Sequence, residues 1–270
     1  MIKKLLTTLL VAGILLTPSV SFATAPHFQV DTGGTLTTNL QAYYKLEDTT
    51  DFWGTNNGTA ASGATATSTG KVNGSYNFDG STNAYIDLGN PTALQWNNTD
   101  GFSVGGWIKT SGSPTDDIFA GYLGNTQPGN PNVQLRILSG KLYINWSADN
   151  TTGYTGTGST TINDNVWHFI LFTYDGNKNV KGYVDGNTTP EISFTATNVT
   201  GNFTTGNWAI GASYSALGTF SPTVGLIDEV GFWKKALSTT EITDLYNGGN
   251  GQTMVVTTAL APMQVLWIGY

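Results

Sequence analysis

An all-β sandwich or barrel closed by one short C-terminal helix is the fold class this sequence predicts, on three observations. Short segments rich in β-branched and aromatic residues recur along the chain, separated by turns rich in Gly and Asn. No alternation of strand and helix patterns occurs, which sets a parallel α/β sheet aside. One stretch of the mature chain carries a convincing helix signal. Ser238-Thr239-Thr240-Glu241 is a capping box, Ile242, Leu245 and Tyr246 give one apolar face, and Gly248-Gly249 stops the helix.

Residues 1–23 read as an export signal. Lys3-Lys4 precede an apolar run from Leu5 to Leu16, and Ser21-Phe22-Ala23 is a small-x-small cleavage site. The run is too short to span a bilayer comfortably, so the expected location is secreted or cell-surface, without membrane insertion after cleavage. Cleavage after Ala25 would leave Pro26 at the new terminus. Residues 24–37 read as a flexible leader.

The first strand is expected from Leu40 to Leu46, with Leu40, Ala42, Tyr44 and Leu46 on one face and Gln41, Tyr43 and Lys45 on the other. Residues 47–58 form a polar loop, and 60–70, low in complexity, read as a surface connection. Strand-like segments follow at 74–78, 84–88, 102–109, 118–123, 133–138, 141–146, 166–174, 180–184, 208–212 and 226–232. Asp79-Gly80, Ser139-Gly140, Asp175-Gly176 and Asp185-Gly186 mark turns between them. Residues 125–132 and 148–162 read as long loops. After Gly251, residues 254–260 and 264–270 form a strand-like tail. It could complete the sandwich, pair with a partner, or begin a further region.

Composition limits the function. The chain has no cysteine, which removes disulfides, thiolate metal sites and a cysteine nucleophile. Without Lys3 and Lys4 the mature chain keeps 9 basic against 18 acidic residues. That balance argues against nucleic acid and anionic membranes as partners.

Several motifs in order carry a resemblance. Leu40-Gln41-Ala42-Tyr43-Tyr44-Lys45-Leu46 leads into Asp51-Phe52-Trp53-Gly54-Thr55-Asn56-Asn57-Gly58-Thr59. There follow Gly74-Ser75-Tyr76-Asn77-Phe78-Asp79-Gly80, Phe102-Ser103-Val104-Gly105-Gly106-Trp107-Ile108-Lys109, Val166-Trp167-His168, Tyr183-Val184-Asp185-Gly186, and Ile227-Asp228-Glu229-Val230 running to Tyr246. The set resembles the laminin G-like domains of the concanavalin A-like lectin/glucanase superfamily, over residues 38–250. The resemblance implies a two-sheet antiparallel jelly-roll sandwich. It also implies binding of glycans or extracellular proteins, often with calcium at the rim.

Catalysis is not expected, and no catalytic residue is assigned. The glutamates are Glu47, Glu191, Glu229 and Glu241, and none pairs with a second carboxylate as glycoside hydrolysis needs. Asp228 and Glu229 are adjacent, so a regular strand would point them to opposite faces. For calcium, Asp51 and Asn57 on the loop after the first strand, with Asp228 from a distant strand, are the expected ligands. Trp53, Tyr122, Trp146 and Tyr154 are the expected ligand-binding aromatics, because they fall on or beside loops and a sugar can stack its apolar face on a ring. Trp107 and Trp167 are assigned to packing. The function expected is an exported, non-catalytic carbohydrate-binding or adhesion module. The alternative is a structural or protein-interaction module without a sugar site, and a glycan-active hydrolase is a third reading.

Overall fold

In a computed structural model, residues 21–23, 25–111, 117–123, 132–147, 153–197, 202–215, 218–256 and 258–260 are described. Two antiparallel sheets dominate. The seven-stranded sheet runs, in spatial order, Tyr154–Thr161, Lys141–Ser147, Asn132–Leu138, Asp117–Leu123, Asn207–Ile210, Ile86–Gly89 and Thr59–Ala60. The eight-stranded sheet runs Ile192–Thr195, Asn179–Val184, His168–Tyr174, Phe102–Lys109, Val224–Trp233, Ser75–Asp79 and Ala64–Thr67, and Leu40–Tyr44 also pairs with Val224–Trp233. The jelly-roll sandwich is as the sequence predicts.

Alternation along each strand builds the core. Phe102, Val104 and Ile108 face the other sheet, as do Leu142, Ile144 and Trp146. An aromatic stack fills the centre: Trp96 lies 3.7 Å from Phe102 and 4.3 Å from Phe203, centroid to centroid. A second apolar layer covers the outer face of the eight-stranded sheet. It joins Tyr43, Trp107, Phe169, Leu171, Tyr183 and Trp233 to residues from the N-terminal segment and the helix.

That layer corrects the expected flexible leader. Phe28 and Leu36 are buried in it. The Trp233 indole N–H donates to the Leu36 carbonyl at 2.7 Å, and the Val30 N–H donates to Gln252 Oε1 at 2.7 Å. A buried apolar face must be covered by something, and residues 28–36 do it here.

The helix, Thr239–Tyr246, forms as expected. The Glu241 N–H donates to Ser238 Oγ at 3.3 Å, and the Ser238 N–H returns to Glu241 Oε2 at 2.8 Å. Asn247, with φ 49°, ends it in the left-handed region just before the two glycines. Glu241 does more than close the box. Its Oε1 accepts from the Thr35 hydroxyl at 2.7 Å and from Lys235. Ser238→Ala should therefore cost about 1 kcal/mol, and Glu241→Ala more, because it also strands Lys235 and Thr35. Urea midpoints of the two variants check the order, and a smaller loss for Glu241→Ala would show that these extra bonds carry nothing.

Three differences from the sequence reading have physical reasons. Tyr154–Thr161, read as loop, is an edge strand. Its glycines let the other sheet come close: a Cβ on Gly156 would collide with Ile192, and the Ser159 N–H donates to Glu191 Oε2 at 2.8 Å. Ala64–Thr67, read as a surface connection, pairs with Ser75–Asp79. Glu229 adopts φ 51° in a bulge of Val224–Trp233, where pairing with Phe102–Lys109 shifts between Asp228 and Gly231. Gly106 lies opposite; a Cβ there would be 2.7 Å from the Glu229 carbonyl.

Residues 27–254 form one compact unit, and Ser21–Ala23 and Thr258–Leu260 belong to another. In the latter, Ser21–Ala23 pairs antiparallel with Thr258–Leu260, so the expected cleavage site falls at the end of a paired strand. The signal's apolar run, the 125–131 loop and residues 264–270 lie outside the described residues. Among the described residues, no helix is long and apolar enough to cross a membrane.

Candidate ligand-binding face

The outer face of the seven-stranded sheet carries a fixed polar platform. On Asn132–Leu138, Val133, Leu135 and Ile137 point into the core, which leaves Gln134 and Arg136 on the opposite face. On Lys141–Ser147 the same alternation turns Tyr143 and Asn145 outward. Register aligns them: Gln134 stands opposite Asn145 and Arg136 opposite Tyr143, with Thr155 and Thr157 next in line on the edge strand.

Gln134 locks this group. Its Oε1 accepts from the Arg136 guanidinium at 2.8 Å and from the Asn145 amide at 3.3 Å, while its Nε2 donates to Ser213 Oγ at 3.0 Å. Both lone pairs of the amide oxygen are thereby used, so the orientation is set. Arg136, the one arginine of the chain, sits 5.6 Å from the Tyr143 ring centroid. Desolvation pulls its pKa below the ordinary arginine value, opposed by Tyr143. Tyr143, Asn145 and Arg136 are each half-buried. The face thus offers one aromatic surface flanked by guanidinium and amide donors, a combination suited to a polyol with one apolar side.

The four aromatics expected at the site do not converge. Trp146 is fully buried, stacked 4.5 Å from Tyr174 and 5.0 Å from Phe203. Tyr122 is fully buried as well, its hydroxyl accepting the Thr205 N–H at 3.0 Å. Neither presents a ring to a ligand. Tyr154 is half-buried against Phe194, its hydroxyl 2.6 Å from Thr197 Oγ1. Trp53 packs against the layer on the other sheet. The signal that separates Tyr143 from Trp146 is strand phase: Trp146 is in step with Leu142 and Ile144, and Tyr143 is not. Trp107 is buried, as expected, but in the outer layer rather than between the sheets, while Trp167 is half-buried against that same layer.

The expected calcium ligands fit poorly as a set. Asp51 is a hydrogen-bond hub: Oδ1 accepts the N–H groups of Tyr43, Trp53 and Gly54 at 3.0, 3.1 and 3.0 Å. Its Oδ2 accepts the Asn56 N–H at 3.1 Å and the Asn56 amide at 3.0 Å. Asn57 Oδ1 accepts the Asp51 N–H at 2.9 Å. These lone pairs are already committed to holding the loop, and a cation there would have to break it. Asp228 is buried, its Oδ2 accepting the Lys71 and Val72 N–H groups at 2.7 and 2.9 Å. Burial pushes its carboxyl up to about 8. Glu229 is raised well above the usual range, by burial first and by Asp228 next. The bulge turns both carboxylates to the same outer face, against the opposite-face expectation.

His168 is held between two carboxylates, Nδ1 2.8 Å from Asp185 Oδ2 and Nε2 3.2 Å from Asp164 Oδ1. The bond to Asp185 raises its pKa above the ordinary value, against desolvation. A raised folded-state pKa adds stability below the unfolded value of about 6.5 and loses it as pH rises through the folded one. The stability gap between the wild type and His168→Gln should therefore be larger at pH 6 than at pH 9 in urea titrations. An equal gap at both values would contradict the charged pairing.

A laminin G-type family model, described as "Concanavalin A-like lectin/glucanases superfamily", matches residues 79–243. The chain belongs to that superfamily. No curated protein matches it in sequence. Among solved structures, the binding domain of Paraclostridial Mosquitocidal Protein 1 is similar to this lectin/glucanase-superfamily chain with a TM-score of 0.65 and 14% identity, covering 79% of this chain and 53% of that one. Domain 4 of AbnA, a GH43 extracellular arabinanase from Geobacillus stearothermophilus, solved with arabinotriose, gives 0.56 and 21%, covering 76% and 97%. The CBM40 of the Ruminococcus gnavus IT-sialidase, solved with α2,3-sialyllactose, gives 0.51 and 16%, covering 63% and 94%. The chain thus spans about half the length of the toxin domain it matches. At these identities the likeness is one of fold. The first of these is described as a binding domain.

Proposed function

We propose that this chain is an exported, non-catalytic carbohydrate-binding module whose glycan lies on Tyr143, Arg136 and Asn145. The observation that carries the reading is the Gln134-locked platform on the outer face of the seven-stranded sheet. A sugar ring would stack on Tyr143 while Arg136 and Asn145 donate to its hydroxyls. Two of the solved neighbours were determined with oligosaccharides bound, which supports a glycan as the ligand class.

The test is retention on a glycan array by the mature domain, beginning at Thr24. Tyr143→Ala should weaken binding about tenfold, equivalent to ~1.4 kcal/mol, and leave the urea midpoint nearly unchanged. If the wild-type domain retains no glycan, the protein-interaction alternative takes its place.

A further inference from the structure

The platform on the outer face of the seven-stranded sheet is closed on three sides. The first wall is a hairpin. Gly211, with φ 84°, turns the chain out of the sheet after its N–H bonds the Phe119 carbonyl. Ser213–Ser215 then pairs with Gly218–Phe220, and the chain rejoins the sheet where the Ile118 N–H donates to the Ser221 carbonyl at 3.0 Å. Gly121, which stands opposite Gln134, lies under this excursion: a Cβ there would be 2.2 Å from Ser213 Oγ and 3.1 Å from Ser213 Cα. Gln134 Nε2 donates to Ser213 Oγ and fastens the hairpin to the platform. Main chain therefore blocks the face directly beside Asn132–Leu138.

Both ends of the strand direction are shut as well. Beyond Asn145 the next outward residue is Ser147, and it is 5% exposed. Beyond Tyr143, in the other direction, it is Lys141. Its ammonium reaches the edge strand, donating to the Ser159 carbonyl and, at 3.1 Å, to Thr161 Oγ1. The fourth side is open. Thr155 and Thr157, level with Asn145 and Tyr143, are exposed on the edge strand. From Asn132–Leu138 to that edge is two strand spacings, roughly 10 Å.

We propose that the platform is a groove open at one end, which binds a glycan by a chain terminus. The proposal rests on the reading of Tyr143, Arg136 and Asn145 as a glycan surface. The terminal sugar lies against the hairpin, and the rest of the chain leaves across Thr155 and Thr157. A chain held through internal units would have to continue past Asn132–Leu138, into space that the hairpin's main chain fills. The two ends of a glycan differ chemically, and so do the two ends of the groove. Guanidinium and amide lie toward the wall, and hydroxyls lie at the mouth, so one chain polarity fits.

The test uses the full mature chain on linear arabinan, xylan, mannan and β-glucan oligosaccharides. Each is coupled to the support in two orientations, through its reducing end or through its non-reducing end. A glycan retained in one orientation should lose about tenfold or more of its affinity in the other. In solution, cutting the matching polysaccharide with an endo-acting hydrolase should raise the binding sites per gram in proportion to the number of chains, with the dissociation constant unchanged. Tyr143→Ala should weaken the favoured orientation about tenfold. Equal retention in both orientations, or a capacity indifferent to cleavage, overturns terminus recognition and leaves the glycan reading standing. An undiminished orientation preference in Tyr143→Ala overturns the placement in this groove. Retention of none of these glycans in either orientation overturns the proposal together with the reading beneath it.

Discussion

Asp51→Ala should lower the free energy of unfolding by about 4 kcal/mol, the largest loss expected from any loop residue. Four main-chain N–H groups and the Asn56 amide converge on this one carboxylate. The residue is 3% exposed. Removing it leaves several donors with reduced access to water, and each abandoned buried donor costs ~1–3 kcal/mol. The costs are not additive, since the relaxed loop would let water reach some of them. Asp51→Asn should recover little, because its amide N–H₂ would face N–H groups where the carboxylate accepted them. Urea denaturation with and without chelator is the measurement. The loss should be the same in both, as expected of a hydrogen-bond hub. A loss seen only with calcium present would restore Asp51 as a metal ligand.

Trp146→Ala should cost a similar amount, about 3–5 kcal/mol, through the cavity it opens. The indole packs between the rings of Tyr174, Phe172 and Phe203 at 4.5, 5.8 and 5.0 Å. No surface loop can collapse into that space, because both sheets border it. Trp146→Phe should cost less, since the indole N–H has no partner to lose. The contrast with Tyr143, three residues before it and on the opposite face, is the informative part. One substitution should unfold the protein at lower denaturant; the other should spare stability and weaken glycan retention. Calorimetric melting alongside affinity electrophoresis separates them. If Trp146→Ala melts normally but loses binding, the strand phase assigned here is wrong.

The strands were legible where period-two alternation met clear turn chemistry. Ser139-Gly140 and the runs on either side of it predict the hairpin of Asn132–Leu138 and Lys141–Ser147 that the structure contains. The helix was legible for the same reason, a capping box next to an apolar stripe. Tyr154–Thr161 was not, because an edge strand packed against a neighbouring side chain needs Gly and Thr, which read as loop. The bulge at Glu229 was hidden too. The left-handed residue in mid-strand is accommodated by the opposing Gly106, which lies more than a hundred positions away in the chain. Site residues suffered most. Proximity to loops points to Trp146 and Tyr122, which the core claims. Following the alternation through Leu142, Ile144 and Trp146 would have left Tyr143 and Asn145 outside. Arg136 carried a signal of its own as the one arginine in the chain, yet its platform depends on cross-strand register that only the fold supplies.

The outer layer has a consequence for how the chain is made. Thr32 bonds Asp244, Val30 bonds Gln252 and Thr35 bonds Glu241, across 212, 222 and 206 positions. Contacts of such separation close late, since the loop entropy must be overcome before they reward it. A polypeptide emerging from its N-terminus therefore holds residues 28–36 idle until the helix has been delivered. Throughout that interval Trp107, Phe169, Leu171 and Tyr183 stay uncovered on one face of a growing sheet. The nascent protein is thus most adhesive just before synthesis reaches residue 252, and a chaperone that shields that face would act in this window.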